Sequence, residues 1–266
     1  PEMPIEISIP IRNLSSSEFD ARDSVVMRCA YDSQNTLGRL CDERVYENDV
    51  ARRLRAAGFC NVHTQVPVLV TNESFQKTYR LDLIADDALY ELKTVRGLTS
   101  EHDSQVLHYA MLQAVNHAKL INFRTDRVEG RLRFNAVTPA ERLRLNINER
   151  WRPQSERCEE LVQRAKALLS DWGGFLDFHL YEEALIHHFG GADRAVGRFP
   201  MRLDGVELGT HEFTFHAKHV CFMISSYPNP RAQRHHIEKL LKLSPFAAVQ
   251  WINLHHHSIL FETISD

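Results

Sequence analysis

Two short stretches decide how this chain is read: Leu81-Asp82-Leu83-Ile84 and, with its acid nine residues beyond Asp82, Tyr90-Glu91-Leu92-Lys93. Each sets one acid inside an apolar, β-prone run. A short turn between them makes an antiparallel pair whose carboxylates meet at one sheet edge. Strand alternation puts Glu91 and Lys93 on one face and Leu92 on the other. Two carboxylates and a backbone carbonyl form a hard-oxygen set suited to Mg²⁺ or Mn²⁺. A lysine beside them can orient a water and offset charge developing on a phosphoryl oxygen. Short patterns of this kind also arise by chance, as acids on an exposed sheet edge, so the neighbouring sequence must decide.

Upstream, residues 18–32 and 42–57 read as helices. Val25, Val26, Cys29 and Ala30 make one apolar face, Val45, Val50 and Leu54 the other, and Gly58 stands where a helix-terminating glycine belongs. Residues 1–16 read as an extended arm. Residues 62–70, 78–85 and 88–94 are β-rich, 101–115 helical, and 119–123 and 131–134 strands. Residues 138–170 are charged and Arg-rich and read as helices on either side of Pro153, over 140–150 and 155–169. Gly173-Gly174 opens a second cycle: a helix over 176–189, strands near 198–203, 211–217 and 219–225, a helix over 231–243, and strands over 249–254 and 258–263.

Composition sets outer bounds. The chain has 266 residues, 43% hydrophobic and 25% charged, with a formal net charge of -3. That suits one large globular domain or two small ones and excludes a strongly basic, histone-like binder. No apolar run is long enough to span a membrane, and no basic stretch leading into an apolar one suggests a secretion signal. The five cysteines (Cys29, Cys41, Cys60, Cys158, Cys221) form no CxxC pair, so a disulfide or zinc-ribbon framework is not expected and the cytoplasm is the default location. Of the 15 histidines, 11 fall between His179 and His257, an asymmetry that calls for a reason.

With these pieces in order, the chain resembles the GxxExxY family of the PD-(D/E)xK nuclease superfamily over about residues 20–134. Gly38, Glu43 and Tyr46-Glu47 fit its helix motif. Gln65-Val66-Pro67, Arg80-Leu81-Asp82-Leu83, Tyr90-Glu91-Leu92-Lys93, Glu101-His102, Gln105 to Tyr109 and Leu120-Ile121-Asn122-Phe123 follow in family order. Leu40 departs from the pattern, where the family usually has a second glycine. The resemblance implies a restriction-endonuclease-like αβββαβ domain: α/β class, with a central mixed sheet flanked by helices. It implies metal binding by Asp82, Glu91 and the Leu92 carbonyl, with Glu43 reaching the metal directly or through water. Lys93 positions the attacking water, and Gln105 and Tyr109 brace the lysine and the phosphate. Arg96 and His102 are candidate substrate contacts, though His102 is equally a surface residue at a helix start. Gln105-x3-Tyr109 also resembles the QxxxY motif of RecB-like and Cas4-like exonucleases. The cysteines here do not support the iron–sulfur cluster many of those carry.

The two cycles share an element order, which suggests an internal repeat. Leu120-Ile121-Asn122-Phe123 matches Trp251-Ile252-Asn253-Leu254 at an offset of 131; upstream the offset is 135, where Gly38 meets Gly173 and Tyr46-Glu47 meets Tyr181-Glu182. On this alignment Asp82 falls on Phe213, Glu91 on Phe222, Lys93 on Ile224, Glu43 on Phe178, Gln105 on His236 and Tyr109 on Leu240. Phenyl rings cannot hold a hard cation, so the second copy reads as degenerate. It would act as a built-in pseudo-dimer partner or supply substrate contacts. The histidine excess then falls in the copy free of metal chemistry. His211, His216 and His219, or His255-His256-His257, are candidate zinc sets, but consecutive strand histidines point to opposite faces, and exposed or nucleic-acid-contacting histidines are favoured.

The expected organisation is a nuclease-like catalytic domain over 1–137, a charged helical connector over 138–172 and a pseudo-nuclease domain over 173–266. Arg142, Arg144, Arg150, Trp151, Arg152 and Arg157 in the connector could track a phosphate backbone, or pair internally with Glu141, Glu149, Glu156 and Glu159. The expected activity is Mg²⁺- or Mn²⁺-dependent hydrolysis of DNA, exonucleolytic if the QxxxY analogy holds. The expected partner is nucleic acid, not membrane, and a homo-oligomer stays open. The alternatives are a non-cleaving nucleic-acid-binding or assembly module, and an RNase.

Overall fold

The structure, a computed structural model, describes residues 4–265. The chain forms two compact units: one runs to Thr71 and resumes over Gln76–Pro139, the other takes Asn72–Phe75 and the chain from Ala140. Both units hold a six-stranded mixed sheet flanked by helices, consistent with two restriction-endonuclease-like domains.

The first unit is ordered β1 (Ile5–Ile7), α1 (Ser16–Leu37), α2 (Glu43–Ala56), β2 (Val62–Asn72), β3 (Phe75–Ala85), β4 (Ala88–Lys93), α3 (Ser100–Leu112), β5 (His117–Asn122) and β6 (Glu129–Phe134). Its strands lie in sequence order, β1 to β6. β3 and β4 are antiparallel, as a two-residue turn dictates; β4 and β5 are parallel because α3 crosses between them. α1 begins at a capping box, in which Ser15 Oγ accepts from the Glu18 amide and Glu18 accepts from the Ser15 amide. It ends at Gly38, whose φ of 73° favours glycine. Residues 81–85 are all buried, which marks β3 as an interior strand. Leu83, Tyr90, Leu92 and Ile121 pack with Phe19, Val26, Tyr46 and Val50 of α1 and α2.

The second unit is ordered α4 (Pro139–Arg142), β7 (Asn146–Arg150), α5 (Glu156–Trp172), α6 (Phe178–His188), α7 (Ala192–Ala195), β8 (Val196–Leu203), β9 (Val206–Ala217), β10 (Val220–Ser225), α8 (Pro230–Leu243), β11 (Ala248–His255) and β12 (Ser258–Ser265). Its strand order is β7-β12-β11-β10-β9-β8. Of the expected connector, residues 140–172 therefore belong to this unit's fold. Where a helix is expected over 140–150, the chain instead makes one helical turn and then β7, which pairs in parallel with β12. All five β7 residues are exposed, so no apolar period announces the strand.

Several contacts recur in the two units. Tyr46 Oη donates to the Gly38 carbonyl and Tyr181 Oη to the Gly173 carbonyl, each at 2.6 Å. Gly38 and Gly173 cap α1 and α5 with nearly equal torsions, φ 73° and ψ -163° against φ 78° and ψ -162°. Asn122 clamps the Val95 amide and carbonyl, as Asn253 clamps those of Tyr227. Asp103 pairs with Arg131 at 3.3 Å, and Arg234 with Glu262 at 3.3 Å with the charges exchanged. α5 thus ends on the same kind of glycine cap as α1.

The register corrects two of the expected equivalences. Glu91 sits beside Leu120, whereas Trp251, on which the expected repeat sets Leu120, sits beside Met223. Facing agrees: Ile224 lies among Leu168, Tyr181 and Leu185 of α5 and α6, as Leu92 faces α1 and α2. Met223 packs instead with Phe213 and Trp251. The residues placed like Glu91 and Lys93 are therefore Met223 and Ser225, not Phe222 and Ile224. A register shift between Val220 and Cys221 accompanies this offset. Among the described residues, no helix is long and apolar enough to cross a membrane.

Candidate functional site

The β3–β4 turn fixes the centre of the site. Register pairs Leu83 with Tyr90, and the next row places Asp82 opposite Glu91. Both are buried, with 7% and 3% of their surface exposed. Asp82 Oδ2 accepts from the Leu92 amide at 2.9 Å, and Oδ1 accepts from Gln65 Nε2 at 3.1 Å. Lys93 Nζ donates to Glu91 Oε1 at 2.7 Å, and Glu91 Oε2 is buried with no donor. Burial first, and the Asp82 charge second, push the Glu91 carboxyl up to about 8. Burial alone would lower the Lys93 pKa, but the Glu91 carboxylate outweighs it and keeps the ammonium charged.

α2 delivers two more acids one helical turn apart. Glu43, in its first turn, is half-buried, and its pKa is raised by burial and then by Asp82. Glu47 is fully buried and accepts from Arg44 at 2.6 Å and from Gln65 Nε2 at 2.5 Å. Burial raises its pKa too, against the pull of Gln65 and Arg44.

Gln65 is the residue that the pattern of acids does not disclose. One side-chain nitrogen bridges Glu47 and Asp82, and the backbone adopts φ 53°, unusual for a strand glutamine. The only signal was Gln65-Val66-Pro67 in the ordered motifs. Gln65→Ala removes the shared donor from two buried carboxylates. It should destabilise the fold by about 1–3 kcal/mol, as measured by the urea midpoint. An unchanged midpoint would mean that the bridge carries no weight.

The other candidates are grouped differently. Gln105 Nε2 donates to Tyr109 Oη at 3.0 Å, so these two form their own pair on α3. His102 Nδ1 accepts from the Thr99 amide at 2.9 Å, which makes it part of the α3 cap. Arg96 is exposed in the loop after β4.

The donor set can be tested against a divalent cation. Among the described residues, no three His, Cys, Asp or Glu side chains are drawn together as a ready-made metal cluster. The Asp82–Glu91 pair, with an oxygen lacking any donor, instead fits a cation that keeps much of its water, as Mg²⁺ does on one or two carboxylates.

A mixed sheet carrying Asp82 and Glu91-x-Lys93 on adjacent central strands, with a helix-borne glutamate near them, is consistent with a restriction-endonuclease-like fold. Residues 20–134 match the family model of the PD-(D/E)XK nuclease superfamily. That span holds the whole carboxylate site and ends before the second unit's sheet. No curated protein and no solved structure shows a significant match to the chain.

Proposed function

We propose that this protein is a divalent-cation-dependent nuclease of the GxxExxY group that hydrolyses DNA phosphodiester bonds at the β3–β4 site of its first unit. One observation carries the reading: two buried carboxylates face each other beside a lysine, and one of their oxygens has no donor. Confining the two acids together costs the fold free energy, as the raised Glu91 pKa reflects, and a bound cation would offset that cost in use.

Asp82, Glu91 and the Leu92 carbonyl would hold Mg²⁺ or Mn²⁺, with Glu43 reaching it directly or through water. When bound, the cation supplies Lewis-acid stabilisation and a more acidic water. The chain's own residues do the rest. Lys93 holds its proton, stays beside Glu91 and points the attacking water towards phosphorus. Gln65 and the Leu92 amide fix the Asp82 carboxylate so that both lone-pair directions are set before substrate arrives. Gln105 and Tyr109, paired on α3, and Arg96, in the loop leading to it, are assigned to the phosphate backbone.

The second unit reads as a copy that has lost this chemistry. The recurring tyrosine–glycine, asparagine-clamp and ion-pair contacts support the common origin. Phe178, Phe213, Met223 and Ser225 stand in the places of Glu43, Asp82, Glu91 and Lys93. Ser225 Oγ donates to Asn253 Oδ1 and accepts from Trp251 Nε1, each at 2.8 Å, so that position now serves packing.

The test is direct. Pure protein is incubated with end-labelled single- and double-stranded DNA, and with RNA of the same sequence, in Mg²⁺, Mn²⁺ or EDTA. Cleavage of DNA with either cation and none in EDTA is expected. Binding without turnover on every substrate would sink the reading in favour of a non-cleaving module, and cleavage of RNA alone would replace the substrate.

A further inference from the structure

A cavity of about 280 Å³ in the second unit is lined by Arg157, Arg194, Lys218, His216, Phe215 and Ala217. Three cations converge there and no acidic side chain lines it. The arginine from α5 is already oriented. Its guanidinium lies 5.9 Å from the Phe189 ring centre and donates to the His216 carbonyl at 3.0 Å. Arg194 and Lys218 are exposed, and no ion pair with a carboxylate is seen for either among the described residues. Glu160, whose charge acts on His216, is taken up by Arg164 at 2.8 Å.

His216 lines the cavity as a buried ring and serves as a reporter of its occupancy. It is 98% buried, because only 2% of its surface is exposed, yet its Nδ1 has no partner. Nε2 lies 3.3 Å from Cys158 Sγ. Burial, and then the charge of Arg157, hold the imidazole pKa down at about 4. At neutral pH the ring is therefore uncharged and adds no repulsion among the cations.

We propose that this cavity binds a phosphoryl oxyanion, with Arg157, Arg194 and Lys218 supplying both charge and hydrogen bonds. Two guanidiniums and an ammonium suit a tetrahedral dianion better than a lone carboxylate. The cavity is near the lower end of the roughly 300–1,000 Å³ usual for small-ligand pockets, so there is room for a phosphate attached to a larger body. Free phosphate and the terminal phosphate of a nucleic acid share this chemistry. The inference does not depend on the first unit being catalytic.

The full chain is titrated with sodium phosphate in EDTA, against sodium chloride at matched ionic strength. Melting temperature and the His216 ring resonances are followed. Phosphate should raise the melting temperature saturably and shift the His216 resonances, and chloride should do neither. Arg194→Ala/Lys218→Ala, at exposed positions where folding is safe, should weaken the response at least about ten-fold. Equal responses to chloride, an undiminished response in the double variant, or a His216 signal that stays fixed while phosphate binds would each overturn the proposal. A 5′-phosphorylated oligonucleotide binding more tightly than its 5′-hydroxyl form identifies a nucleic-acid end as the source; equal binding, with phosphate still titrating, identifies free phosphate. EDTA keeps these outcomes separate from whether the first unit cleaves.

Discussion

Asp82→Asn is expected to slow cation-dependent DNA cleavage by at least about 10³-fold while the protein stays folded. Asparagine keeps the shape and one oxygen, so the Leu92 amide can retain an acceptor. What is lost is the charge that the proposed role of Asp82 as a ligand for a hard cation requires. The fold should gain from the change. Glu43, Glu47 and Glu91 are each pushed up in part by the Asp82 charge. Without it, the metal-free protein should be at least as stable as wild type at mildly alkaline pH. Activity and stability thus move in opposite directions, the pattern of a site that stores like-charge strain for function. Initial rates and urea midpoints on the same preparations check both. A folded Asp82→Asn protein cutting within about ten-fold of the wild-type rate would show that this carboxylate is not a ligand. If the variant does not fold, Glu91→Gln in the same assay puts the question to the other carboxylate.

Much of this site can be read in sequence because acids inside apolar strands break the usual pattern. Asp82 stands between Leu81 and Leu83, and Glu91 between Tyr90 and Leu92, positions where a structural protein would bury carbon. The α2 segment is equally legible, with Asp42 before it and Tyr46, Val50 and Leu54 on its buried face. Other features leave little trace. β7 has no buried residue and so no period to detect. The register of β10 depends on a local shift and on which face Ile224 seeks, and an alignment anchored on Ile-Asn pairs misses it by one residue. The Gln65 bridge requires a backbone conformation that residue identity does not reveal. The His216–Cys158 contact joins residues 58 apart, with no shared motif. Local alternation shows in a sequence, whereas tertiary pairings between unlike segments do not.

The pH dependence of stability should carry a contribution from Glu91 with a definite sign. Its pKa rises from 4.5 to about 8 on folding because burial, and then Asp82, penalise the charged form. A raised carboxyl pKa means that the folded state holds the proton more tightly than the unfolded chain. The stabilisation from that proton is fully present below about pH 4.5 and is lost as pH rises through about 8. The slope approaches about 1.4 kcal/mol per pH unit for one group over that window. Glu91→Gln cannot ionise, so its stability should lack this slope. Because the variant keeps the other titrating groups, the difference between the two urea-derived curves reports Glu91. The gap should widen in favour of glutamine up to about pH 8 and stay constant above it. Parallel curves across the whole range would mean that Glu91 ionises normally and is not confined with Asp82 as described. Mg²⁺ supplies the counter-test. Above the folded pKa, the ionised pair should gain stability from the cation by mass action in wild type and gain far less in Glu91→Gln, because the energy that burial and repulsion cost the metal-free fold is what the cation recovers.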